Sequence, residues 1–149
     1  MKDFLLPLGK NQIFLITVLA WLITQSIKVT LGVIREKRFN FRWFTGTGGM
    51  PSSHAAGVAA LATSVGLDYG FNSGLFAVTA IFALIIMFDA QGVRRQTGQQ
   101  AEILNKIMED IYFKRMLQEE RLKELLGHTP VEVFVGAILG ILLALIFYH

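Results

Sequence analysis

Four apolar runs, each about as long as a bilayer core is thick, constrain this chain more than any other feature. They lie at 13–34, 54–71, 74–93 and 130–148, and a helix crossing hydrocarbon needs about 20 mostly apolar residues. Of 149 residues, 53% are hydrophobic and 17% charged, and the mean hydropathy is +0.51. That composition is foreign to an ordinary soluble domain. The expected fold is all-α: an integral membrane bundle of four transmembrane helices, one membrane domain over residues 1–149. The first run is too long, and carries Lys28 too deep, for a cleavable signal peptide. Cysteine is absent, which excludes disulfides and thiolate chemistry and fits either side of a membrane.

Charge in the connections gives an orientation. With four spans, residues 35–53 and 94–129 share one side of the membrane. That side holds Arg35, Lys37, Arg38, Arg42, Arg94, Arg95, Lys106, Lys114, Arg115, Arg121 and Lys123, against Lys2 and Lys10 on the other. By the positive-inside rule the first side is cytoplasmic, and both termini are on the non-cytoplasmic side of the cell membrane. Residues 97–127 form a charged connection between the third and fourth spans. Its apolar positions Leu104, Ile107, Met108 and Ile111, then Leu122, Leu125 and Leu126, indicate one or two amphipathic helices outside the bilayer core. The stretch Arg35 to Phe44 alternates cations and rings, as an interfacial segment against membrane lipids does. Topology already accounts for the net charge of +3, so no nucleic acid is expected as a partner.

Polar residues stand where these runs begin and end. An ammonium in hydrocarbon costs several kcal/mol unless it snorkels, finds a partner or lines a polar cavity, so Lys28 has either an interfacial or a functional reason to be there. Arg35 follows seven residues later on the same helical face, roughly 10 Å along the axis. Gln25 stands one turn before Lys28 and adds an amide to that face. The loop Thr45 to Gly49 lacks the Gly-Lys-Ser/Thr of a nucleotide-binding loop. After it, Pro51 suits a first helical turn, and Ser52 and Ser53 offer hydroxyls and amides at a helix N-terminus, which attracts phosphate. His54 follows, placed to pass a proton. Simple capping by either serine is the competing reading. The third run ends Asp89-Ala90-Gln91-Gly92-Val93-Arg94-Arg95. The guanidinium groups of Arg94 and Arg95 can clamp phosphate oxygens with Asp89 holding one of them, or can simply anchor a helix end. Glu132 lies four residues after His128, a spacing that lets a carboxylate orient an imidazole if the helix has started at Thr129-Pro130.

In that order, Lys28 and Arg35, then Pro51-Ser52-Ser53-His54, then an arginine and Gly127-His128 with an acid four further on, resemble the three-part motif of the type-2 phosphatidic acid phosphatase and vanadium haloperoxidase superfamily. The Asp89–Arg95 and Gly127–Glu132 patterns make the chain most similar to the small divergent membrane branch. Three differences stand out: Glu36 in place of a usual proline, Ser53 in place of a usual glycine, and a long connection between Arg94-Arg95 and His128. The resemblance implies phosphoryl transfer through a phosphohistidine, with no metal and no other cofactor. His128 is then the nucleophile, Glu132 the residue that orients it, and His54 the general acid and later base. Lys28, Arg35, Ser52, Ser53 and Arg94 or Arg95 would hold phosphate oxygens, with Gln25 and Asp89 in support.

The resulting expectation is an acid-phosphatase-like phosphoric ester hydrolase of the membrane, acting on a lipid or isoprenoid phosphate at the cytoplasmic face. A non-catalytic binder or transporter of phosphorylated lipids is the alternative, and a small structural membrane subunit is a third reading. Lipid phosphatases of the superfamily commonly have six spans, so a homo-oligomer would supply missing walls. Gly136 and Gly140 offer it a close-packing face.

Overall fold

The structure, a computed structural model, describes residues 7–37, 49–112 and 127–149, with the side chains of residues 93–95 and 109–112 left outside the description. Among the described residues it consists of five helices and no strand: α1 (Gln12–Glu36), α2 (Ser53–Tyr69), α3 (Gly74–Gln91), α4 (Val93–Tyr112) and α5 (Pro130–Phe147). The cations and rings of 38–44 and the apolar positions of 113–126 lie outside the described residues.

The helix starts follow capping chemistry. Asn11 accepts from the Phe14 amide at 3.0 Å to open α1, Ser73 accepts from the Phe76 amide at 3.1 Å to open α3, and Ser52 and Thr129 cap α2 and α5. Each satisfies an amide that has no intrahelical partner. Pro51 differs from its expected place in a first helical turn: α2 begins at Ser53 with Ser52 as the cap, so the proline precedes the helix.

Three helical runs are long and apolar enough to cross a membrane: Gln12–Glu36, Gly74–Met108 and Pro130–Phe147. The expected second span is α2, whose 17 residues rise about 26 Å, at the lower limit for a crossing. Its many alanines, glycines and serines make it the least lipid-like of the four, and its neighbours shield it instead. It packs against α1, α3 and α5, and 11 of its residues are buried. Small side chains permit this: Gly136 and Gly140 of α5 sit so close to α2 that an added Cβ would collide with the carbonyls of Ser52 and Ala56. The glycine face expected to meet a second copy is thus occupied within the chain. Further along the same seam, Ala60 meets Leu143 and Ala144 together with Ile16 and Ala20 of α1.

The third span also differs from expectation at its end. α3 stops at Gln91, and α4 resumes at Val93 after the single residue Gly92. The Gly92 amide donates to the Phe88 carbonyl at 2.8 Å and the Gln96 amide to the Gly92 carbonyl at 3.0 Å, so the helical ladder continues through Gly92. Residues 94–97 are all helix-compatible, and a lone glycine is too weak a breaker to separate the connection from the span. On α4, Leu104 and Ile107 are exposed with Ile103, and Lys106 pairs with Glu102 at 2.7 Å.

One end of the bundle gathers the C-termini of α1 and α3 and the N-termini of α2 and α5. At the other end, Gln12 donates to the Phe147 carbonyl at 3.5 Å and the Tyr148 hydroxyl donates to Asp68 at 2.8 Å. The α2–α3 turn closes there through Gly70, whose φ of 88° favours glycine.

Candidate active site

Two backbone hydrogen bonds tie the histidine motifs together at the first end. The Ser52 amide donates to the Glu132 carbonyl at 3.1 Å, and the His128 amide donates to the Ala90 carbonyl at 3.0 Å. The first fixes the start of α5 on the cap of α2, and the second fixes the segment before α5 on the end of α3. Below them Ala55, Ala90 and Val133 form a buried floor, with Met87 and Ala137 packed against it.

On this frame the rings of His54 and His128 approach to 6.0 Å between centroids, inclined at 61°. His128 is only 2% exposed, whereas His54, in the first turn of α2, is half-buried. His128 Nδ1 lies 3.2 Å from Glu132 Oε2. The same oxygen accepts from the Thr129 amide at 3.0 Å, and Thr129 Oγ1 accepts from the Glu132 amide at 3.3 Å. This is a capping box in which the carboxylate has a second duty. A carboxylate at Nδ1 selects the tautomer with hydrogen there, which leaves the lone pair on Nε2.

Lys28 reaches the site from α1. It is 9% exposed, and its stem runs along Gly49, at whose α-carbon a side chain would begin 3.5 Å from Lys28 Cδ. Gly49 has φ of 84°, so the turn beside Lys28 uses a backbone conformation that suits glycine. Gln25, 4% exposed, stands one turn below. The positive ends of α2 and α5 both face this region, adding to the lysine a field that favours an anion.

The serines divide. Ser52 is fully buried, its amide donating to Glu132 and its hydroxyl accepting from the Ala55 amide at 3.3 Å. Its position is therefore structural as well as local to the site. Ser53 is buried beside it, and its amide belongs to the first turn, outside the intrahelical ladder. Arg35 is exposed in the last turn of α1. A seven-residue step drifts about 20° from Lys28's face on a straight helix, and Arg35 stands beyond the last buried α1 residue, Val29. Asp89 is half-buried one residue before Ala90. Arg94 and Arg95 lie in the first turn of α4, and their side chains are outside those described.

Thus the fold brings His54, His128, Glu132, Lys28, Gln25, Ser52 and Ser53 to one end of the bundle and leaves Arg35 outside that cluster. Sequence reasoning missed three contributors. Thr129 was legible in the Thr-x-x-Glu pattern of a capping box. The Ala90 carbonyl and the Gly136 gap under Ser52 act through backbone proximity, which side-chain chemistry does not announce. Among the described residues no group of histidines and acids could hold a metal ion.

A family model described as the divergent PAP2 family matches residues 9–143. The chain is similar to a protein of Bacillus subtilis (strain 168) described as the uncharacterized membrane protein YuiD. They are 47% identical over 149 aligned residues, covering 91% of this chain and 93% of that one. No solved structure matches.

Proposed function

Because the chain belongs to the divergent PAP2 family, and is a membrane protein by its apolar helices and its relative, we propose that it is a phosphatase hydrolysing a lipid or isoprenoid phosphate. The observation that carries this reading is the His54–His128 pair, 6.0 Å apart, with Glu132 on Nδ1 of His128. In the proposed cycle Nε2 of His128 attacks phosphorus and the phosphorus–oxygen ester bond breaks. The leaving alkoxide takes a proton from protonated His54. Water then attacks the phosphohistidine, His54 takes its proton, the nitrogen–phosphorus bond breaks and inorganic phosphate leaves. Glu132 keeps the Nδ1 hydrogen throughout and offsets positive charge on the ring. Lys28 and the first amides of α2 offset charge on the phosphoryl oxygens. On this reading the end that carries the basic connections faces the cytoplasm, as the positive-inside rule favours.

Purified protein in nanodiscs, given long-chain alkyl phosphates and polyprenyl phosphates, is expected to release inorganic phosphate and to trap an acid-labile phosphohistidine on rapid quenching. Absence of release from all of them would sink the reading. The burial of His128 supports a second reading, a non-catalytic binder of phosphorylated lipids. His128→Gln separates the two: a phosphatase loses turnover, while a binder keeps most of its affinity for the same phosphates.

A further inference from the structure

α3 and α5 touch only lightly, leaving between them a groove of about 590 Å³. Its walls come from Leu84, Met87 and Phe88 of α3 and from Val131, Phe134 and Ala137 of α5. Gln91 and Pro130 also border it, and Gln91 is the polar exception among the lining side chains. Gln91 follows Ala90, which accepts from the His128 amide, and Pro130 lies two residues after His128. The polar margin of the groove therefore adjoins the histidines. From there to Leu84 and Ala137 the groove runs seven residues along each helix, about 10 Å, or roughly a third of the hydrocarbon thickness.

A groove whose one polar lining side chain, Gln91, stands at the end nearest the histidines, and which is apolar for the rest of its length, matches one kind of occupant: an amphiphile with an anionic phosphate head and a hydrocarbon tail. We propose that the α3–α5 groove holds the hydrocarbon chain of the phosphorylated substrate and so makes chain length a determinant of turnover; this rests on the phosphatase reading above. The tail enters from the bilayer, since Phe88, Val131 and Phe134 are strongly exposed on the outer rims. Met87 and Val133 form the inner wall next to the buried floor of the site. Burial of each additional methylene then lowers KM until the groove is full.

The test compares butyl phosphate with hexadecyl phosphate on the full chain in nanodiscs. Wild type is expected to have a much lower KM for the long chain. Phe134→Trp, which narrows the groove from its exposed rim, and Leu84→Trp, which closes its far end from the lipid side, are expected to raise KM for hexadecyl phosphate about tenfold while leaving butyl phosphate unchanged. If wild type shows no chain-length dependence, or if both folded variants keep it, the groove assignment is overturned. A diazirine-bearing hexadecyl phosphate supplies a readout independent of turnover. Labelling of Met87, Phe134 or Ala137 that hexadecyl phosphate suppresses and hexadecanol does not supports the assignment. Labelling suppressed equally by both, as for bulk membrane lipid, or labelling elsewhere overturns it, as does a disulfide formed on oxidation between two copies of a Leu84→Cys variant. Specific labelling without phosphate release would preserve the tail site and overturn the phosphatase reading instead.

Discussion

At the scale of single residues, Glu132 does three things with one side chain and one carbonyl. Oε2 faces His128 Nδ1 and the Thr129 amide, and the carbonyl accepts from Ser52. Replacing it with glutamine leaves the backbone bond and most of the cap, but exchanges a charged acceptor for a neutral one. Glu132→Gln is expected to lower kcat by about a hundredfold or more, the scale of losing an electrostatic or general-base contribution, with KM little changed. Steady-state kinetics on one alkyl phosphate checks it. The two histidines are expected to respond differently to the leaving group. His128→Ala should abolish turnover of every ester, while His54→Ala should be much less damaging with a nitrophenyl ester, whose phenolate leaves without a proton, than with an alkyl ester. Equal losses on both esters would remove His54 from the acid role. The pairing of His128 with Glu132 was legible in the sequence because a spacing of four on a helix has one geometric meaning. Arg35 was less legible: a spacing of seven names a face, but how far the bundle extends along that face is decided by tertiary contacts.

At the scale of elements, the seam between α2 and α5 depends on the absence of two side chains. Gly136 lies against Ser52 and Gly140 against Ala56, so a methyl group at either position must push the helices apart. Gly140→Ala, one turn away from the catalytic end, is expected to destabilise by about 1–3 kcal/mol, the usual cost of overpacking. Gly136→Ala should add a loss of activity, because the atom it displaces is the carbonyl of the residue preceding Ser53 and His54. Thermal denaturation and phosphate release measured on both variants check this: equal activity in the two would dissociate the seam from the site. The spacing of the glycines could be read from the chain, but which surface they face could not, since a close-packing stripe serves a neighbouring helix and a second copy equally well. Gly92 illustrates the same limit. Its residue type permits a helix end or a continuing helix, and the hydrogen bonds on either side select continuation.

At the scale of the whole molecule, the chain is a bundle with the histidine pair at one end and the Tyr148–Asp68 contact at the other, and its orientation is open to direct measurement. Because the protein has no cysteine, single cysteines introduced by Arg35→Cys and Lys10→Cys can be labelled without background. In intact cells a membrane-impermeant maleimide is expected to label the second and spare the first, and the reverse pattern would invert the proposed sidedness. The all-helical architecture was legible because apolar runs of this length have few other solutions in a bilayer. The role of α2 was not, because hydropathy records how well a segment tolerates lipid and says nothing about being surrounded. That role has a consequence for biogenesis. Until α5 has been synthesised, the gap it fills beside Ser52 and Ala56 is vacant, and α2 has a proline-led cap but no partner for the Ser52 amide. His128 and the helix that completes the central packing therefore arrive together, and the approach of His54 to His128 cannot form in a nascent chain until α5 has docked.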